Sequence, residues 1–125
     1  MRWPVSVLVG DHTGLMRIVS MSEAPAVNAD RFVAVSLVET PQSSLRVIRL
    51  GPGQELPPHT HGVSDLLLLA VEGQATLDTA DGPVLLDAGS VAVLSGDEEL
   101  RAANRGQADV TLVAFLAPPF PPRKS

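Results

Sequence analysis

No stretch of ten or more residues in this chain repeats apolar side chains at the i, i+3, i+4, i+7 spacing of an amphipathic helix, and nothing else constrains its fold as much. Apolar residues come instead in short runs closed by turn residues. Arg31–Glu39 alternates as a strand, and Ser44–Leu50, Leu66–Val71, Gln74–Thr79, Pro83–Leu86, Val91–Leu94, Leu100–Asn104 and Val110–Leu116 follow. Between them lie Glu72–Gly73, Asp81–Gly82, Asp87–Ala88–Gly89 and Asn104–Arg105–Gly106. The chain spends 10 Gly and 11 Pro on such punctuation, which excludes a helical bundle. Short strands at a spacing of roughly 8–12 residues predict an antiparallel sandwich or barrel, an all-β fold.

With 125 residues there is room for one domain. Residues 1–30 read as an N-terminal extension and edge segment, 31–117 as the barrel and 118–125 as a Pro-rich tail. Met16–Val19 looks like a natural start, so the first 15 residues read either as an upstream extension or as an extra edge strand. Ser20–Met21–Ser22–Glu23 has capping-box spacing, but Pro25 limits it to a single helical turn. Trp3 and Phe120, in the two end segments, read as packing on a partner or on the barrel's edge.

The net charge is −5, and the eight Arg and one Lys are spread along the chain with only Arg123 and Lys124 adjacent, so no basic cluster exists for nucleic acid. No apolar run approaches the roughly 18 residues that span a membrane. The first ten residues lack a full signal-peptide core and cleavage site, so a cytoplasmic location is expected by elimination. With no Cys, thiolate metal sites and Cys nucleophiles are excluded. Leu66–Leu69 is apolar on both faces, and the second face needs a cover from a partner sheet, the N-terminal segment or a second subunit, so a homodimer is expected.

The informative segment is Gly51–His61. His59 and His61, two of the three histidines, stand at i and i+2, which places both imidazoles on one face of a strand. The remaining one, His12, reads as a solvated loop residue. Gly53, His59, His61 and Gly73 resemble the first motif of the cupin family, Gly-x5-His-x-His-x(3,4)-Glu-x6-Gly, and Gly82, Gly89, Gly96 and Asn104 resemble the skeleton of the second, with Ala88 in place of its Pro. The resemblance spans about residues 45–117 and implies a double-stranded β-helix, or jelly roll.

The resemblance also implies a cage of three His and one carboxylate or Gln, and here the sequence departs from it. Counting back from Gly73 lands on Leu66, with Asp65 one position early and on the opposite face unless a bulge shifts the register. Counting on from Gly96 gives Glu99, and counting back from Asn104 gives Leu100. Alternation puts Leu100, Ala102 and Asn104 inward and Glu99 and Arg101 outward; the sharper alternative is a His59–His61–Glu99 triad suited to Fe or Mn. Without a third ligand, two imidazoles suit Zn, Ni or Cu with waters completing the shell. The metal ligands are thus read as His59 and His61, with Glu99 and Asp65 as weaker candidates.

Arg46 and Arg49 have opposite parity on one strand, so only one faces the barrel; an inward Arg selects a carboxylate or phosphate, and an edge or dimer salt bridge is the plainer reading. Glu98–Glu99 are adjacent and face opposite sides, a surface feature rather than paired catalytic acids. Three functions remain: a metal-dependent isomerase, lyase or oxygenase acting on a small polar metabolite; a small-molecule-binding or sensing module; and a structural domain with a relic site.

Overall fold

The computed structural model describes residues 16–119. Eight strands form two antiparallel sheets: β1 (Val33–Glu39), β2 (Ser44–Leu50), β3 (Asp65–Glu72), β4 (Gln74–Thr79), β5 (Gly82–Asp87), β6 (Val91–Leu94), β7 (Ala102–Ala103) and β8 (Val110–Ala117). The larger sheet runs β1-β2-β8-β3-β6 and the smaller β5-β4-β7. Each predicted run becomes a strand, because period-two alternation and Gly-bearing turns specify both the strands and their ends. The run at Leu100–Asn104 is the one that shortens most, to Ala102–Ala103. The expected helical turn is a 3₁₀ turn at Met21–Glu23 with a complete capping box from Ser20.

The smaller sheet gains a further edge from residues 54–59. Leu56 N donates to Ala102 O (2.9 Å), Asn104 N to Gln54 O (2.8 Å) and Leu100 N to His59 O (2.8 Å). Facing inward from the larger sheet, register by register, are Ser44, Leu116, Leu66 and Leu94; then Arg46, Ala114, Leu68 and Ala92; then Ile48, Leu112 and Ala70; then Leu50 and Val110. Against them pack Leu56, Ala75, Leu77, Leu86, Leu100 and Ala102. Leu50, Leu66, Leu68 and Leu112 lose all solvent contact, and each such leucine stabilises the fold by about 1.5–3 kcal/mol.

Two features of the sequence pattern fix this arrangement. Gly73, with φ +77°, turns β3 into β4, and a Cβ there would collide with the Asp109 carbonyl. Asn104 is buried. Its Nδ2 donates to Leu50 O (2.9 Å) and Ala108 O (2.8 Å), and its Oδ1 accepts from Gly106 N (3.0 Å). The asparagine of the second motif thus ties the end of β2 to the β7–β8 turn.

The outer face of the larger sheet is divided. Over β2 and β8 the N-terminal segment lies across it. Arg49 points outward and donates from Nε to Pro25 O (2.8 Å), from Nη2 to Met21 O (2.9 Å) and from Nη1 to Thr111 Oγ1 (3.1 Å). Val47 is fully buried on the same face. Over β3 and β6, Val93, Leu67 and Phe115 form a cross-strand row that stays exposed among the described residues. That row is the second apolar face for which the sequence predicts a homodimer. No helix among the described residues is long and apolar enough to cross a membrane. Trp3, His12 and Phe120 lie outside the described residues.

Candidate functional site at the barrel mouth

Four connections meet at one end of the barrel: the β1–β2 turn, residues 59–64 leading into β3, the tip of the β4–β5 hairpin and the β6–β7 connection. The two histidines sit among them. His59 and Leu100 exchange backbone hydrogen bonds of 3.3 and 2.8 Å, and His61 N donates to Gly96 O at 2.7 Å. Gly96 must lack a side chain, because a Cβ would collide with the Gly62 carbonyl. The second motif's glycine is therefore what lets the His-x-His segment lie against the β6–β7 connection.

The two imidazoles converge, with ring centroids 4.6 Å apart and planes at 61°. His59 is exposed, and its Nδ1 lies 2.8 Å from Pro57 O. A carbonyl can only accept, so Nδ1 carries a proton and donates it to Pro57 O. His61 is 3% exposed. Its pKa is held below the ordinary imidazole value, first by burial, then by the neighbouring His59 and then by Arg46.

Arg46 is thus the inward arginine. It shares its face of β2 with Ser44, Ile48 and Leu50, opposite Ala114 of β8, and its Nε is buried. Arg49 takes the outward position and clamps the N-terminal segment.

The weaker ligand candidates do not reach the histidines. Asp65 is exposed at the start of β3 opposite Ala117, while Leu66 turns inward; the register shift between β3 and β8 falls at Ala70/Glu72, so no bulge brings Asp65 round. Glu99 points outward and accepts from Arg101 Nε at 2.8 Å. Glu98 folds back onto Ser95, accepting from its backbone N–H at 2.8 Å. Leu100, like Leu66, is buried in the core.

A resident divalent ion of the kind the fold suggests can be tested against this donor set. Two imidazoles converge, but leucines fill the remaining ligand positions and the next charge is a cation, Arg46. Among the described residues no three His, Cys, Asp or Glu side chains group to hold a metal. The residues present do not fit a closed metal cage.

Beside the histidines, at the same end, opens a cavity of about 760 Å³. Its walls are Leu77, Val84, Ala92, Leu94 and Leu100, and Glu98, Glu99 and Arg101 stand on its rim. Neither histidine lines it; Leu100 is the link, since its backbone holds His59 and its residue borders the cavity. No sequence motif announces this cavity, because strands β4, β5, β6 and the β6–β7 connection each contribute one or two wall residues.

No family model matches the sequence, and no curated protein matches it. Solved structures do. An uncharacterised conserved protein with a double-stranded β-helix domain from Klebsiella pneumoniae is 25% identical, with a TM-score of 0.75 over 83% of this chain and 91% of that one. An RmlC-like cupin protein from Desulfovibrio desulfuricans is 24% identical, with a TM-score of 0.73 over 85% of this chain and 100% of that one. A predicted oxalate decarboxylase from Thermotoga maritima is 18% identical, with a TM-score of 0.69 over 82% of this chain and 99% of that one. The chain is a double-stranded β-helix protein. That is the architecture of the cupin proteins among these neighbours, and it is the fold that the resemblance of the two motifs implies.

Proposed function

We propose that this protein binds a small molecule at the mouth of its barrel, using His59 and His61 as polar contacts and the surrounding leucines as walls. The observation that carries the reading is the composition of the mouth: two convergent imidazoles, leucines at positions 66 and 100, and an adjoining apolar-walled cavity of about 760 Å³. A pocket that is mostly apolar with a few convergent polar groups is the general form of a small-molecule site. The residues for demanding acid–base chemistry are sparse, with no Tyr or Cys in the chain and three His in all.

Convergence of the imidazoles favours one second reading, a divalent ion (Zn, Ni, Cu, Mn or Fe) shared by His59 and His61 and completed by ligand oxygens or water. One experiment separates the two. Untagged protein is denatured after purification, released small molecules are identified by mass spectrometry, and metal content is measured beside a His59→Ala/His61→Ala variant. The expected result is an organic ligand with far less than one metal per chain. Stoichiometric metal that disappears in the variant would establish the second reading instead.

A further inference from the structure

The cavity beside the mouth has apolar walls, and the charge around it is unbalanced. Leu77, Val84, Ala92, Leu94 and Leu100 form the walls. Around the rim Arg101 pairs with Glu99 at 2.8 Å and Arg105 with Asp78 at 2.6 Å. Asp97 and Glu98 enter neither ion pair. Among the described residues they accept from Ser95, whose groups are neutral: its N–H and hydroxyl reach Glu98 at 2.8 and 3.2 Å, and its hydroxyl reaches Asp97 at 2.7 Å. Ser95 engages one oxygen of each carboxylate, and the other oxygen can take a further donor. Two exposed negative charges thus stand uncompensated beside an apolar opening.

The chain carries a segment of matching chemistry. Residues 120–125 read Phe-Pro-Pro-Arg-Lys-Ser, an apolar stretch followed by two adjacent cations. Its point of departure is close to the cavity. Ser64 Oγ donates to Pro118 O at 2.6 Å. Strand β3 pairs Asp65 with Ala117 of β8 on one side and Leu66 with Leu94 of β6 on the other. Pro118 therefore stands two strand spacings, roughly 10 Å, from the end of β6. A Pro-rich extended chain advances about 3.1 Å per residue, so residues 119–122 cover that distance and bring Arg123 and Lys124 within reach of residues 97–99.

We propose that residues 120–125 dock on this cavity, with Arg123 and Lys124 pairing to Asp97 and Glu98 and with Phe120, Pro121 and Pro122 covering the apolar opening. A small molecule then enters the cavity when the segment gives way. That consequence rests on the small-molecule reading above, whereas the docking does not.

Lys124 is the one lysine in the chain, which makes the contact readable. The full chain is treated with a zero-length carbodiimide, which joins an amine to a carboxylate that it touches, and the products are mapped by mass spectrometry. Lys124 is expected to couple within its own chain to Asp97, Glu98 or Glu99. Sodium chloride at 1 M, where charges are screened beyond roughly 3 Å, should cut the yield several-fold. No coupling of Lys124, or coupling spread over carboxylates at the far end of the barrel such as Asp87 and Asp109, would overturn the docking. Coupling between chains alone would overturn it in favour of a contact between copies. The second readout is uptake of the neutral dye N-phenyl-1-naphthylamine, which fluoresces in apolar surroundings. Arg123→Glu/Lys124→Glu should bind the dye roughly 2- to 10-fold more tightly than the wild type. Equal uptake by the two chains would overturn the closure of the cavity. A Lys124–Glu98 product with no dye uptake by either chain would sustain the docking and overturn the small-molecule reading, so the two fail separately.

Discussion

His59 and Leu100 face each other across an antiparallel bridge, each backbone N–H donating to the other's carbonyl at 3.3 and 2.8 Å. The bridge puts a buried leucine beside the first histidine, at one of the two positions where the motif count leads to a ligand. Its neighbour in this respect is Leu66, inward on β3 and fully buried. Mouth chemistry in this chain is decided by that pair of leucines as much as by the pair of histidines.

Gly96 should be the least replaceable residue near the site. Gly96→Ala drives a methyl group into the Gly62 carbonyl and must displace the segment that carries His61. A loss of more than about 2 kcal/mol is expected. Gly89→Ala is the control: φ is +92° but space is open, so only backbone strain is added, about 1–2 kcal/mol. Urea denaturation of both variants measures the difference.

Asn104→Ala removes a buried amide that makes three hydrogen bonds and leaves the Leu50 and Ala108 carbonyls without it. About 2–4 kcal/mol of stability should be lost. The same denaturation assay reads it, and Asn104→Asp should not rescue, because a carboxylate cannot donate to those carbonyls.

Acidification should destabilise the fold through His61. Its pKa is lower in the folded protein than the usual value of about 6.5, so the unfolded chain binds more protons there. The stabilisation is present above the unfolded value and is lost as pH falls through that value toward the lower folded one. Urea midpoints measured from neutral pH down to mildly acid pH should therefore fall, and His61→Gln should flatten the part of the slope that His61 causes.

Arg49→Ala should free the N-terminal segment without touching the mouth. The guanidinium joins Met21, Pro25 and Thr111, and Thr111 in turn donates to Glu72 at 3.0 Å. Limited proteolysis should cut faster within residues 16–31, with ligand binding retained.

Most strands were legible because short apolar runs of strand length are closed by turn residues between Val33 and Ala117. Leu66 and Glu99 also read correctly by parity: one inward, one outward. The choice between Arg46 and Arg49 was not legible. Strand β2 is apolar on both faces, with Leu45 and Val47 on one and Ile48 and Leu50 on the other, because the N-terminal segment buries its outer side. A strand covered on both sides loses the polar row that would mark its solvent face. The cavity was invisible for a different reason: its walls come from distant elements that only the sheet packing brings together.

The central claim is that leucines 66 and 100, rather than a missing cofactor, make this mouth a small-molecule site instead of a metal cage. Zinc and nickel titration of the wild-type chain beside a Leu66→Glu/Leu100→His variant tests it most directly, with folding of both monitored by circular dichroism. The account predicts weak, substoichiometric binding by the wild type and one tightly held ion per chain in the variant. One tightly held ion in the wild type would contradict it.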